Sequence, residues 1–493
     1  MNCARVPGLS GLAALLLFTL PAAADVKLPN IFGSHMVLQR DQKDPVWGWA
    51  EPGEEVTAMI GDQKKTTKAG ADGSWKIVLD PLPAGGPHTL TIKGKNSITF
   101  DDVLVGEVWI CSGQSNMQWD LAAANDSDIE TLTAKFPKIR LISVPQVGTQ
   151  EVQKDFNGKW ATCTPETART FSAVGFLFGR ILSQALDIPI GLIDNAWGGS
   201  ACEAWIRRDI LQGDPNYSAM MDRWKDMEAK YQSGSEEDKK KLEGNMRGNA
   251  RPGNIYNGVL KPTIGYGIRG AIWYQGESNA GRAYQYRDLF PLMIKSWRDE
   301  WAQGEFPFYY VQLADYMAET PDPVDSAWAE LREAQTMTMS KLPKTGQAVI
   351  IDIGEGRDIH PRNKQDVAKR LARWALANDY GIKIPFRSPE FKSCEKQGNK
   401  FVLKFDNVPG GLYNFDVDKP RGFAIAGDDK KLCLGRRQDH ARHHRSLERQ
   451  GERASLGPLR LGRQPGLQRL RAGLGPAAHA VPHGRLEGKD GRR

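Results

Sequence analysis

Apolar segments with strand character alternate with segments of helical periodicity from Val103 to about residue 379, and this alternation restricts the fold more than any other feature. The predicted strands cover residues 103–111, 188–194, 268–275, 308–314 and 347–353. The predicted helices cover residues 173–186, much of 205–245, 282–302, 326–342 and 364–379. Strands joined by crossover helices form parallel sheets with helices on both faces. We therefore predict a parallel three-layer α/β domain over residues 103–385.

The preceding segment, residues 25–102, has a different pattern. Short apolar or alternating runs such as Pro45–Trp49 and Trp75–Leu79 are separated by turn clusters such as Glu51-Pro52-Gly53. Strands at this spacing are typical of a small β-sandwich. We predict a β-sandwich module here, which either binds carbohydrate or supports the neighbouring domain.

Residues 1–24 have the features of a secretory signal peptide. Arg5 gives a positive n-region, Leu12 to Leu20 form an apolar h-region, and Ala22-Ala23-Ala24 fits the cleavage site. The apolar run is too short to span a bilayer, and no other stretch approaches spanning length. We predict that the mature chain begins at Asp25 and is exported to the periplasm or the extracellular space.

The C-terminal part changes character twice. Residues 386–430 have strand-like texture and predict a partial β segment. Residues 431–493 contain no Ile, Phe, Tyr, Trp, Met, Asn or Thr, and they carry a net charge of +10 within a chain total of +7. The remainder is therefore slightly acidic, so the charge does not indicate a nucleic-acid-binding surface. This tail is either disordered and basic or the product of a coding region read out of frame, and both interpretations stay open.

Residues 108–117 place a serine where a buried strand turns into a helix. The segment Val108–Cys111 is apolar, Gly113-Gln114-Ser115-Asn116 forms the turn, and helical character begins near Gln118. At such a turn the serine hydroxyl is lifted out of the sheet, and backbone amides point toward the group that it attacks. Esterase nucleophiles use this geometry. The same residues also suit a simple helix cap.

The histidines single out one candidate base. Five of the eight lie in the tail and two lie in the β module, which leaves His360 in the α/β domain. His360 follows the last predicted strand, so it lies at the carboxyl edge of the sheet, on the same side as Ser115. We predict that His360 accepts the Ser115 proton and that Asp358 orients its ring.

Two further strand-end loops carry polar residues. Asn195–Ser200 contains Gly198-Gly199, and paired glycines let backbone N–H groups approach a ligand. Gln275–Asn279 offers side-chain amides, and amide donors stabilise a tetrahedral oxyanion. Each loop alone is also consistent with an ordinary strand-to-helix turn. Four polar loops at one edge together predict an acyl-transfer site.

Four sequence blocks resemble the motif blocks of the SGNH hydrolase superfamily: Gly113–Asn116, Trp197–Ser200, Trp273–Asn279 and Asp358–Arg362. The closer similarity is to the sialate O-acetylesterase branch of carbohydrate esterases, which the segments Leu28–Phe32 and Met36–Arg40 also resemble. The resemblance covers about residues 26–428 in order and excludes the tail. It implies a flavodoxin-like SGNH hydrolase domain with an N-terminal β module.

The resemblance implies that Ser115 is the nucleophile and His360 the general base. It assigns oxyanion and substrate contacts to the Ser115 amide, Gly199 and the 275–279 loop. From these loops we select the binding residues Gly199, Gln275, Glu277, Asn279 and Gln114.

Two features depart from the superfamily pattern. An acid usually lies three residues before the histidine, where this chain has Arg357, so either Asp358 or a backbone carbonyl orients the ring. Gln275 and Asn279 are alternatives for the side-chain oxyanion donor.

The expected activity is removal of O-acetyl groups from sialic acids through an acetyl-serine intermediate. Alternatives are an acetylesterase acting on xylan or pectin, and a non-catalytic glycan-binding module. Six cysteines form no C-x-x-C pair and no zinc-type spacing. The serine mechanism needs no metal or cofactor, and the sequence shows no ligand set for one, so we expect neither. The expected partner is an acetylated sugar, with no nucleic acid and no membrane span, and the sequence leaves the oligomeric state open.

Overall fold

The computed structural model describes residues 25–318, 324–414 and 423–426, and the backbone of four short strands between residues 432 and 472. The predicted signal peptide and most of the predicted tail lie outside the described residues. No helix within the described ranges is both long and apolar enough to cross a membrane.

Seven strands form the N-terminal part, as the all-β pattern predicts. They are β1 Val37–Gln39, β2 Asp44–Trp49, β3 Glu55–Ile60, β4 Gln63–Lys68, β5 Ser74–Leu79, β6 Gly85–Lys93 and β7 Ser97–Gly113. Strand β3 pairs with β4 and β6, β7 pairs with β6 and β1, and β2 pairs with β5 alone. Their assembly as a sandwich stays a prediction. Strand β4 was not predicted because it consists only of Gln, Lys and Thr and has no apolar residue.

Strand β7 joins the two parts of the chain. Its first half pairs antiparallel with β6, and its second half pairs parallel with two strands of the following domain. The predicted boundary between residues 102 and 103 falls inside this strand, where Asp102 has a φ of +55°. One continuous strand thus carries the chain from the β module to the Ser115 turn.

The α/β part contains the following elements: α1 Ser115–Gln118, α2 Ser127–Leu132, β8 Phe136–Ser143, β9 Ala161–Cys163, α3 Pro165–Arg169, α4 Ala173–Leu186, β10 Ile190–Asp194, α5 Arg208–Gln212, α6 Ser218–Ser233, α7 Glu236–Met246, β11 Gly270–Tyr274, α8 Ala283–Trp301, β12 Phe308–Val311, α9 Ala327–Lys341, β13 Thr345–Ala348 and α10 Lys364–Asn378. The strand order is β13-β12-β11-β7-β10-β8-β9, with every pair parallel except β8–β9. This large, mostly parallel sheet with helices confirms the predicted α/β class.

Successive residues of a strand point to opposite faces of the sheet, and helices cover both faces. Cys111 of β7 faces α4, where a Cβ on Gly175 would lie 2.9 Å from its Sγ. Trp273 of β11 faces α8 and packs against Phe290 and Trp297. Strand β8 was not predicted because charged residues interrupt it. Its Arg140 is nevertheless buried, since Arg140 pairs with Asp102 through both terminal nitrogens.

The C-terminal strands are β14 Glu390–Gln397, β15 Lys400–Asp406, β16 Leu412–Asn414, β17 Ala424–Ala426, β18 Leu432–Leu434, β19 Arg436–His440, β20 His444–Glu448 and β21 Leu470–Ala472. Leu403, Phe423 and Ile425 form a small cluster separate from the main core. Strand β20 lies in the tail, for which disorder is one of the two interpretations, and it pairs with β15 and β19. Backbone pairing does not require alternating apolar side chains, so the composition of the tail does not indicate this strand.

Candidate active site

The site lies where β7, β10 and β11 end side by side. Gly113 closes β7 with a φ of +136°, and a Cβ there would lie 2.2 Å from the Tyr274 carbonyl oxygen, so only glycine fits. The next residue, Gln114, donates its backbone N–H to the same carbonyl at 2.9 Å. This close approach to β11 fixes the turn that presents Ser115 at the first position of α1.

Ser115 and His360 meet at this edge although they lie 245 positions apart in the chain. Nε2 of His360 is 2.8 Å from Oγ of Ser115. The Gln114 side chain is buried beside them, and its Oε1 accepts hydrogen bonds from the backbone N–H groups of Gly276 at 3.3 Å and Ser278 at 3.4 Å. Gln114 therefore ties the nucleophile turn to the neighbouring loop through its side-chain oxygen.

Asp358 contacts the backbone of His360 more closely than its ring. Its Oδ1 accepts the His360 backbone N–H at 2.9 Å, whereas the distance from Oδ1 to ring Nδ1 is 3.6 Å, beyond a good hydrogen bond. Among the described residues, no backbone carbonyl forms a hydrogen bond with Nδ1. The aromatic ring of Trp119 instead stacks on the imidazole, with 4.8 Å between ring centres and 18° between planes.

The electrostatic surroundings of His360 favour its neutral form. Partial burial lowers the pKa of His360, the neighbouring Lys364 lowers it further, and Asp358 raises it. Neutral imidazole is the form that can accept a proton.

Two backbone amides near Ser115 are available to a ligand. Neither the N–H of Ser115 nor that of Gly199 has a hydrogen-bond partner among the residues described here. Gly198 packs closely on Ser115, since a Cβ there would lie 3.4 Å from the Ser115 Cβ. Gly199 has a φ of +71°, and its carbonyl accepts the Ser278 hydroxyl at 2.9 Å. Backbone amides without another partner can donate to an oxyanion.

Gln275 and Asn279 are buried and engaged elsewhere. Nε2 of Gln275 donates to the Ser200 carbonyl at 3.0 Å and to Oδ1 of Asn279 at 2.7 Å. Asn279 also accepts the Cys202 N–H and donates to the buried Glu203, both at 2.9 Å. The structure therefore places both side chains in a supporting network behind the loop and not at the Ser115 hydroxyl.

Asn116, Glu277 and Lys364 form a second network that adjoins the Ser115–His360 pair. Nδ2 of Asn116 donates to Oε1 of Glu277 at 2.7 Å, and Oδ1 of Asn116 accepts from the Lys364 ammonium at 2.6 Å. The sequence prediction included Glu277 but missed Lys364 and Asn116. Lysine is ordinarily solvated, so nothing in its local sequence marks Lys364 as buried.

The family model described as carbohydrate esterase, sialic acid-specific acetylesterase, matches residues 105–237 and 246–373, which include all four loops of the site. The chain belongs to this family. It is a hydrolytic esterase of carbohydrates, which confirms the predicted enzyme class.

Similarity to known proteins extends well beyond the matched ranges. The sialate O-acetylesterase of Mus musculus is 32% identical over 442 residues, covering 80% of this chain and 81% of the relative. The Homo sapiens sialate O-acetylesterase is 31% identical over 443 residues, covering 80% of each. A crystal structure of a carbohydrate acetylesterase from Xanthomonas citri superimposes on the esterase with a TM-score of 0.78 and 35% identity, covering 90% of this chain and 96% of that chain.

Proposed function

We propose that the esterase removes O-acetyl groups from sialic acids through a covalent acetyl-serine intermediate on Ser115. The 2.8 Å contact between the Ser115 hydroxyl and Nε2 of His360 carries the proposal, because it is the geometry a nucleophile and its base require. The substrate class rests on the sialic acid-specific family and on the sialate O-acetylesterases similar to this chain.

In the first step, His360 takes the Ser115 proton while Oγ attacks the acetyl carbonyl carbon. The carbonyl oxygen becomes an oxyanion, which the amides of Ser115 and Gly199 stabilise. The tetrahedral intermediate then collapses as the bond to the sugar oxygen breaks, and the imidazolium returns its proton to the departing sugar alcohol. The Ser115 side chain now carries the acetyl group.

In the second step, water replaces the sugar. His360 takes a proton from the water as its oxygen attacks the acetyl-serine carbonyl, and the same two amides stabilise the second oxyanion. Collapse releases acetic acid, which loses its proton to solvent and becomes acetate, and His360 returns the proton it holds to Ser115. Stacking on Trp119 holds the imidazole plane through both steps, and Asp358 stabilises the imidazolium by its charge rather than through a short hydrogen bond.

The test measures acetate release from O-acetylated sialic acid and from acetylated xylan, with Ser115→Ala beside the unaltered protein. Ser233→Ala, at the exposed end of α6, is the matched control. We expect activity on the sialic acid that falls by at least about 10³-fold in Ser115→Ala and stays unchanged in the control.

Three results would contradict the proposal. Full activity in Ser115→Ala would exclude the acetyl-serine mechanism. Release from xylan alone would move the substrate to plant polysaccharide and keep the mechanism. No release from either substrate, by protein that melts in one cooperative transition, would favour a glycan-binding role.

A further inference from the structure

A fully buried lysine lies next to the proposed catalytic pair. Lys364 is the first residue of α10 and follows its N-cap residue Asn363. Its side chain is 0% exposed, whereas lysines are almost never fully buried unless they are paired. Its ammonium donates to Oδ1 of Asn116 at 2.6 Å. Burying a charge in this way is costly, so the position needs an explanation in the mechanism or the fold.

Asn116 connects Lys364 to three loops of the site. It directly follows Ser115, so hydrogen bonds to its side chain hold the nucleophile turn in place. Nδ2 of Asn116 donates to the carbonyl of Ile359 at 3.0 Å, one residue before His360, and to Glu277 in the third loop. Lys364 holds the acceptor side of the same amide and thereby fixes which way the amide group faces.

Two aromatic rings lie near the ammonium of Lys364. Nζ of Lys364 lies 5.5 Å from the ring centre of Trp119 and 5.5 Å from that of Tyr274. These are cation–π distances. Trp119 also stacks on His360. Lys364 is therefore linked to the imidazole by its contact with Trp119 as well as by its hydrogen bond to Asn116.

The charged groups around Lys364 are Glu277, Glu355 and Asp358, and those that act on His360 are Lys364 and Asp358. Burial lowers the pKa of Lys364 to about 7 despite these carboxylates. The pKa of His360 is held below its ordinary value of 6.5, so Lys364 is already charged when the pH falls far enough to protonate His360. A positive charge opposes that protonation.

We propose that Lys364 is a positioning residue for the Ser115–His360 pair, which it acts on through Asn116 and Trp119. This inference rests on the proposed function. The ammonium locks the nucleophile turn to the His360 loop, and its charge keeps the base in its proton-accepting form as the medium becomes acidic.

The test compares Lys364→Met and Lys364→Gln with the unaltered esterase in kcat, KM and the pH profile of kcat/KM. Methionine removes the charge and the donor, whereas glutamine removes the charge and keeps a donor for Asn116. Lys369→Met is the matched control, because Lys369 lies on the same helix but is exposed. Melting curves establish that each variant is folded, and Lys364→Gln serves if the methionine variant does not fold.

We expect Lys364→Met to lower kcat by about 10- to 100-fold with KM changed by less than about threefold, because displaced reacting groups cost rate more than binding. The acidic limb of kcat/KM should move to higher pH by about half a unit or more in both variants, since the pKa of His360 rises when the charge is lost. Lys364→Gln should retain more of kcat than Lys364→Met. The control should match the unaltered esterase.

A purely structural role would lower activity equally at every pH and leave the acidic limb in place, and that result would overturn the inference. Wild-type kcat and an unshifted profile in folded variants would overturn it as well. Ser115→Ala is measured in parallel. If it is inactive while the Lys364 variants behave as the unaltered protein, the inference fails and the proposed function stands. If Ser115→Ala is active, both fail.

Discussion

Replacement of Asp358 by asparagine tests how His360 is oriented. An asparagine Oδ1 can still accept the backbone N–H of His360, which Asp358 accepts at 2.9 Å, so the loop should keep its shape. The change removes only the negative charge that lies 3.6 Å from the imidazole Nδ1. The experiment therefore separates a charge effect from ring orientation.

The expected loss is small because Asp358 is exposed. Its side chain is 42% accessible, so the interaction with the imidazolium is screened almost as in water. At this distance and a dielectric near that of water, Coulomb's law gives about 1 kcal/mol, which corresponds to roughly a fivefold loss in kcat/KM. Where an aspartate holds the histidine in a triad through a short hydrogen bond, the same substitution costs about 10⁴-fold.

The assay measures initial rates of acetate release over the acidic and neutral range. Asp358 raises the pKa of His360, so its neutralisation should lower that pKa and move the acidic limb to lower pH. This is the opposite direction from that expected for the Lys364 variants. A loss of 10³-fold or more, in protein with an unaltered melting curve, would show that Asp358 orients the ring and that the charge-only account is wrong.

Two further predictions concern stability. Asn279→Ala should lower the free energy of unfolding by about 2 kcal/mol, because the buried Cys202 N–H and Gln275 amide lose their acceptor. A large loss of activity at an unchanged melting temperature would instead make Asn279 an oxyanion donor. Glu107→Gln should cost at least about 3 kcal/mol in chemical denaturation, since the buried Glu107 pairs with both Arg40 and Arg269. Its control, Asp299→Asn, breaks an exposed pair with Lys295 and should cost less than about 0.5 kcal/mol, so equal effects would contradict the reasoning.

Local sequence was sufficient for the elements that depend on periodicity. In α10 the apolar residues Val367, Leu371, Trp374 and Ala375 recur with helical spacing, and all four are buried in the structure. Strand β8, which charged residues interrupt, the short strand β9 and the polar strand β4 were not predictable in this way. Their pairing depends on neighbouring strands and on compensation such as the Arg140–Asp102 contact, which no local window contains.

Aromatic residues near the site also show the difference between what local sequence predicts and what packing decides. Trp205 and Tyr274 are 0% and 1% exposed, so they belong to the core and offer no face to a sugar. Trp119 is partly exposed, yet one face of its ring is occupied by His360. The sequence placed all three near the strand ends, and only packing decided which surface each ring meets.

The sequence by itself determined the fold class and the edge at which the functional residues gather. Parallel strands end at a common edge, so polar residues that follow separate strands converge even when hundreds of residues separate them. The tertiary structure decided which of these residues touch one another. Asp358 lies against the backbone of His360, Gln275 and Asn279 hydrogen-bond to each other and not to Ser115, and Lys364 joins Asn116 across 248 positions. A hydrogen bond depends on ångström distances between side chains, and such distances are set by the packing of the whole domain.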